Sequence, residues 1–202
     1  MKRLIFLLLS LWLYTQGYSQ TAEEYFAKGN AKLNLGDYRG AIADYNKAIE
    51  LDPEFVEDAY NNRGNAKYIL GDYRGAIADY SKAIELDPKD TDGYNNRGNA
   101  KSKLIDYKGA IADYSKAIEL DPKDTDGYIN KAHAKYLLQD YRGAIADFNK
   151  ALELNPKDAI TYYNRGDAKA QLGDKNGACL DFSKAGELGD GEAYNRIKEY
   201  CN

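Results

Sequence analysis

The chain has 202 residues, with 28 Lys+Arg against 32 Asp+Glu and a net charge of −4, and this acidic balance argues against a nucleic-acid partner, whose phosphates call for a basic footprint. One His and two Cys cannot build a four-ligand structural zinc site or an iron–sulfur cluster, so no metal or other cofactor is expected. A hydrophobic fraction of 44% beside 30% charge belongs to a folded chain rather than a disordered one.

Residues 1–20 read as an export segment. Lys2 and Arg3 form a short basic start, and Leu4–Leu13 is almost uninterrupted apolar sequence. Ten helical residues reach about 15 Å, half of a bilayer's hydrocarbon core, which makes a membrane span a poor fit. A buried N-terminal helix fits poorly as well, since the run is apolar on all sides and ends without a cap. Gly17-Tyr18-Ser19 has the small-x-small pattern that signal peptidase accepts, so residues 1–19 are expected to be a signal peptide, with Gln20 as the mature N-terminus. That places the mature protein in the periplasm or outside the cell, without stable membrane insertion.

Beyond the leader the sequence repeats itself. Its four prolines, Pro53, Pro88, Pro122 and Pro156, are spaced by 35, 34 and 34 residues, and residues 57–90 and 91–124 are identical at 28 of 34 positions. The units are 22–56, 57–90, 91–124, 125–158 and 159–190, the first with one extra residue at 55–56. Each reads as two antiparallel helices. Ala76, Ile77, Tyr80, Ala83 and Ile84 recur at helical spacing, Gly71-Asp72 supplies a stop and an N-cap, and Asp87-Pro88 ends the second helix.

Numbering each unit from 1, small residues hold position 8 (Gly29, Gly64, Gly98, Ala132, Gly166), position 20 and position 27. Aromatics hold position 4 (Tyr25, Tyr60, Tyr94, Tyr128, Tyr162) and position 24 (Tyr45, Tyr80, Tyr114, Phe148, Phe182). A glycine inside a helix costs about 1 kcal/mol relative to Ala, so its return at one position predicts a close approach that a side chain would block. The 12 Tyr at positions 4, 17 and 24 read as core rather than as a stacking platform for bases.

In these small, aromatic and proline positions the sequence resembles the tetratricopeptide repeat family over about residues 22–190. The resemblance implies an all-α fold, an α-solenoid in which about five helix–turn–helix repeats wind into a right-handed superhelix. Two departures stand out. Position 7, usually apolar in the family, is Lys28, Arg63, Arg97, Lys131 or Arg165, each followed sixteen residues later by an Asp (Asp44, Asp79, Asp113, Asp147, Asp181), which predicts an ion pair inside each repeat. The inter-helix turn carries Gly36, Gly71 and Gly173 but Ile105 and Gln139 in units three and four. A β-branched Ile resists positive φ, so a different turn backbone is expected there.

Residues 191–202 fit a capping helix over the last repeat. Ala193, Tyr194, Ile197 and Cys201 form an apolar stripe, while Glu192, Asn195, Arg196 and Glu199 are expected to face away. If this helix runs antiparallel to its predecessor, Cys179 and Cys201 meet. A disulfide suits an exported chain with only two cysteines; two buried thiols are the alternative.

In this family the first helices line the concave side. Position 6 there reads Ala27, Asn62, Asn96, Asn130, Asn164, and position 9 reads Asn30, Asn65, Asn99, His133, Asp167. Asn is a mediocre helix former, and its carboxamide complements a peptide group. These residues form the candidate peptide-binding groove, similar to the asparagine ladders of some family members. Position 5 (Phe26, Asn61, Asn95, Ile129, Tyr163) and position 12 (Tyr68, Ser102, Tyr136, Ala170) would set side-chain preference. Inter-repeat hydrogen bonding or a solvated surface would also account for the Asn. The carboxylate-gripping variant of the family needs Lys or Arg beside the ladder, where this chain has Phe26, Asp92 and Asn96. Asp90-Thr-Asp92-Gly93 and Asp124-Thr-Asp126-Gly127 echo a calcium loop but lack its first ligand and terminal Glu, and read as turns. No nucleophile–base set or phosphate loop is present, and His133 has no partner cluster, so no catalytic residue is assigned. The sequence thus points to a non-catalytic module or scaffold that binds a protein or an extended peptide. The rival is a structural subunit or accessory protein of a cell-envelope assembly, docking through the convex face or a solenoid end.

Overall fold

The computed structural model describes residues 21–52 and 57–201. The leader and its cleavage point lie outside the described residues, as do Pro53 and the insertion at 55–56. Eleven helices follow one another among the described residues: α1 (Ala22–Asn34), α2 (Tyr38–Leu51), α3 (Glu57–Ile69), α4 (Tyr73–Leu86), α5 (Thr91–Lys103), α6 (Tyr107–Leu120), α7 (Thr125–Leu137), α8 (Tyr141–Leu154), α9 (Ala159–Gln171), α10 (Lys175–Glu187) and α11 (Gly191–Tyr200). Each odd helix pairs with the even one after it, and each even helix leans on the next odd one. The result is an all-α solenoid.

The same local chemistry makes every hairpin. Asp37, Asp72, Asp106, Asp140 and Asp174 cap the second helices by accepting from the N–H of Gly40, Gly75, Gly109, Gly143 and Gly177. Just before each cap, the chain takes one left-handed residue. At Gly36, Gly71 and Gly173 φ is 79°, 83° and 79°. Against expectation, Ile105 and Gln139 adopt the same backbone, at φ 65° and 63°. The flanking hydrogen bonds explain it. The N–H of Ile105 donates to the Ser102 carbonyl and that of Asp106 to the Lys101 carbonyl, as happens at Gly71 and Asp72. This helix-ending pair, together with the aspartate cap, holds the turn against the preference of the side chain.

The core alternates ring and hole. Tyr45, Tyr80, Tyr114, Phe148 and Phe182 are fully buried, and a Cβ built on Gly29, Gly64, Gly98 or Gly166 would stand 2.5–2.7 Å from the ring of its own repeat. Ala100 and Ala134, from the following repeats, close over Tyr80 and Tyr114. The tyrosines at positions 4 and 17 are only half-buried, which corrects the reading of all 12 as core. Those at position 4 lie beneath the position 7 cations, for example Arg63 at 5.2 Å from the Tyr60 ring centre.

The ion pairs form in four of five repeats. Arg63, Arg97, Lys131 and Arg165 reach Asp79, Asp113, Asp147 and Asp181 at 2.6–3.1 Å. Each carboxylate also takes a lysine from position 11, Lys67, Lys101, Lys135 or Lys169. In the first repeat Asp44 pairs with Lys32 instead, and Lys28 lies over the Tyr25 ring. Among the described residues no earlier repeat covers Lys28, and its side chain is exposed.

Helix α11 closes the solenoid with two corrections. Ala193 is buried, but Tyr194 is largely exposed, and Arg196 turns inward, 2.9 Å from Asp167 and over the rings of Phe182 and Tyr200. In register α11 is the first helix of a sixth unit, which puts Arg196 at position 6. Cys179 in α10 and Cys201 at the end of α11 have Cα atoms 5.8 Å apart and their sulfurs at bonding distance.

Candidate functional site

The odd helices bring the carboxamides of positions 6 and 9 to one side, but not into one uniform ladder. Position 9 is tied to the core. Asn30, Asn65 and Asn99 accept from the hydroxyls of Tyr45, Tyr80 and Tyr114 at 2.7–2.8 Å. Burial pushes the Tyr45 hydroxyl up to about 12, and those of Tyr80 and Tyr114 higher still, so all three remain donors at any physiological pH. The carbonyl ends of these carboxamides are therefore already occupied.

Position 6 divides. Asn62 donates to Asn30 of the preceding repeat at 3.0 Å, and Asn164 lies 3.2 Å from His133 Nε2. Arg196 makes the equivalent reach to Asp167. These are bonds between repeats, as the blander reading of the ladder expected. Asn96 and Asn130, in α5 and α7, are half-buried and bond to no described residue.

At position 5, Asn61 and Asn95 are tied into the joints between repeats. Their amides donate to Asp90 and Asp124, the caps of the next repeats. Asp124 also caps through the Gly127 N–H. The two aspartate-rich turns are thus structural joints.

Asn65, Asn96 and Asn99 share a cleft of about 400 Å³ with Leu33, Tyr38, Tyr68, Ile69 and Tyr80. Its lining thus mixes carboxamides with aliphatic and aromatic groups. Of these, Tyr68 was expected as a lining residue; Leu33 shares its position 12, Tyr38 lies at position 17, read above as core, and Ile69 lies at position 13, which carried no expectation. Farther along, His133, Asn164 and Asp167 meet Tyr136 and Phe148 around a smaller space of about 80 Å³. His133 stacks edge-on against Phe148 at 5.4 Å, and burial holds its pKa below the usual value. Its Nε2 serves as acceptor for the Asn164 amide. Among the described residues no group of His, Cys, Asp and Glu is arranged to hold a metal, and no helix is long and apolar enough to cross a membrane.

A solenoid of helical hairpins with a cleft along its first helices defines the class, and comparison supplies the family. Family models described as TPR repeat match residues 29–71, 64–104 and 132–173, and one described as tetratricopeptide repeat matches residues 91–124. The chain belongs to the tetratricopeptide repeat family. No curated protein matches it. Among solved structures it is similar to MamA, with 25% identity, a TM-score of 0.79, and 86% of this chain covering 94% of that one. YrrB, described as a TPR protein with an unusual peptide-binding site, aligns with 24% identity and a TM-score of 0.77 over 88% of this chain and 92% of its own. A thermophilic TPR protein of Thermus thermophilus follows the same path at 17% identity, with a TM-score of 0.65 over 90% of this chain and 99% of that one.

Proposed function

We propose that the protein is a non-catalytic interaction module that holds an extended peptide or protein segment along its first helices. The observation that carries this reading is the pair of free carboxamides. Asn96 and Asn130 sit at the same position of adjacent repeats, each with donor and acceptor available, while their counterparts Asn62 and Asn164 are engaged with neighbours. A peptide backbone offers the matching donor and acceptor, and the aliphatic and aromatic groups that line the same cleft as Asn96 suit the apolar side chains of such a segment. His133 is half-buried, edge-on against Phe148 and beside the Asn164 amide, which supports a packing role over an acid–base one.

Titration of peptides drawn from the native host's proteome tests the reading. The Asn96→Ala/Asn130→Ala variant should bind about tenfold or more weakly, each lost hydrogen bond being worth roughly 1 kcal/mol. Asn65→Ala should instead lower stability, because Asn65 serves the core hydroxyl of Tyr80. Unchanged affinity in the double variant refutes the groove.

Export belongs to the same proposal. A mature chain beginning at Gln20 in the native host supports it, and a retained Met1 refutes it. An oxidising compartment would let Cys179 and Cys201 stay joined. Thiol alkylation of the unreduced native protein should label neither cysteine.

A further inference from the structure

The edge formed by the turns between first and second helices carries an apolar pattern that the peptide groove does not use. In the outer repeats each turn exposes one aliphatic residue, Leu35 or Leu172. In the three central repeats each exposes two: Ile69 and Leu70, Leu104 and Ile105, Leu137 and Leu138. Ile105 is the telling residue. It is 73% exposed and holds a φ of 65°, where the other repeats use Gly or Gln. A β-branched side chain kept in left-handed backbone and in water gains nothing within the monomer.

Each central turn also carries two charges that have no ion pair among the described residues. Arg74, Lys108 and Arg142 are exposed and bond to no described residue. Asp72, Asp106 and Asp140 cap their helices through the Gly75, Gly109 and Gly143 N–H groups but meet no cation among the described residues. Acid and base stand two residues apart along the chain, where side chains point to different faces and cannot satisfy each other.

We infer that this turn edge is an interface between two copies of the chain, related by a two-fold axis passing close to Ile105. The aliphatic doublets occupy positions 13 and 14 in repeats two and four and positions 14 and 15 in repeat three, so the edge reads alike from either end. An isologous contact requires such a self-complementary surface. Repeat two of one copy then lies against repeat four of the other, Arg74 and Arg142 face the Asp140 and Asp72 carboxylates across the interface, and Ile105 meets its own counterpart. The mixed charge fits a second copy better than an anionic membrane, which would favour a uniformly basic rim.

Sedimentation equilibrium on the natively purified protein, from about 1 to 100 µM, tests the inference. A dimer mass is expected at the upper end. Ile105→Gly should raise the dissociation constant at least about tenfold while leaving the thermal unfolding midpoint of the monomer unchanged or higher, since Gly is at ease at that φ. Arg74→Glu should also weaken the dimer, and adding Asp140→Asn, which keeps the helix cap, should recover part of the loss. A monomer at every concentration overturns the inference, and so does a dimer indifferent to Ile105→Gly. A monomer that instead sediments with phosphatidylglycerol vesicles overturns it in favour of a membrane.

Discussion

At position 8 of the repeats, glycine stands where a methyl group would run into an aromatic ring. A Cβ on Gly64 would lie 2.7 Å from Tyr80 Cε1, and that ring is held from its far end by the hydroxyl's bond to Asn65. Overpacking of this kind costs about 1–3 kcal/mol, against about 1 kcal/mol gained in helix propensity. Gly64→Ala should therefore lower the urea midpoint with an unchanged m-value. The fourth repeat carries Ala132 beside Phe148, a ring without a hydroxyl tether. Gly64→Ala combined with Tyr80→Phe should accordingly cost less than the sum of the single changes. His133 gives a second residue-scale test. Its pKa is depressed by burial, so the unfolded chain binds the proton more tightly. Stability should be full above pH about 6.5, the unfolded value, and should fall as the pH drops below it, toward the lower folded value. His133→Asn, the residue that the first three repeats place there, should flatten stability against pH in that window, because no other His titrates.

Between elements, the clamp that joins the two helices of a hairpin is an aspartate held by two cations. Asp113 is 4% exposed and lies 2.7 Å from both Arg97 Nη2 and Lys101 Nζ. Arg97 also donates to Ser81 of the preceding repeat, so the cluster ties repeats as well as helices. Removing the carboxylate leaves two half-buried like charges together. Asp113→Ala should cost about 3–5 kcal/mol in chemical denaturation. Among the exposed Lys–Glu pairs three residues apart, breaking Lys82–Glu85 should barely register. At the last joint, the link from Cys179 to Cys201 closes a segment with a sequence separation of 22, worth about 3 kcal/mol in the chain-entropy account. Reduction should lower the unfolding midpoint. In hydrogen exchange, α11 should lose protection first, because it packs chiefly on α10.

Over the whole molecule, stability accumulates from hairpins and the contacts between neighbours, which is why so much was legible in a single chain. The 34-residue period, two helices per unit, their aspartate caps, the ring-and-glycine core and the meeting of the cysteines all rest on local chemistry repeated at fixed spacing. The second lysine of each clamp was equally regular, at position 11, but its role becomes visible only when both helices are present. The turn at Ile105 misled for a physical reason: intrinsic preference argued for a new backbone, and a pair of hydrogen bonds with a helix cap outweighed it. Arg196 misled because α11 follows the register of a further repeat rather than that of an isolated amphipathic cap.

The candidate site divides along the same line. The amino-acid sequence by itself determined that carboxamides recur at positions 6 and 9 of the first helices, because composition and spacing are written in the chain. Only the tertiary structure decided which of them are free. Asn65 and Asn99 are claimed by tyrosine hydroxyls from their own second helices, Asn62 and Asn164 by the repeats before them, and Asn96 and Asn130 by neither. A hydrogen bond between repeats depends on the rotation and separation of whole hairpins, and no spacing within one unit encodes these.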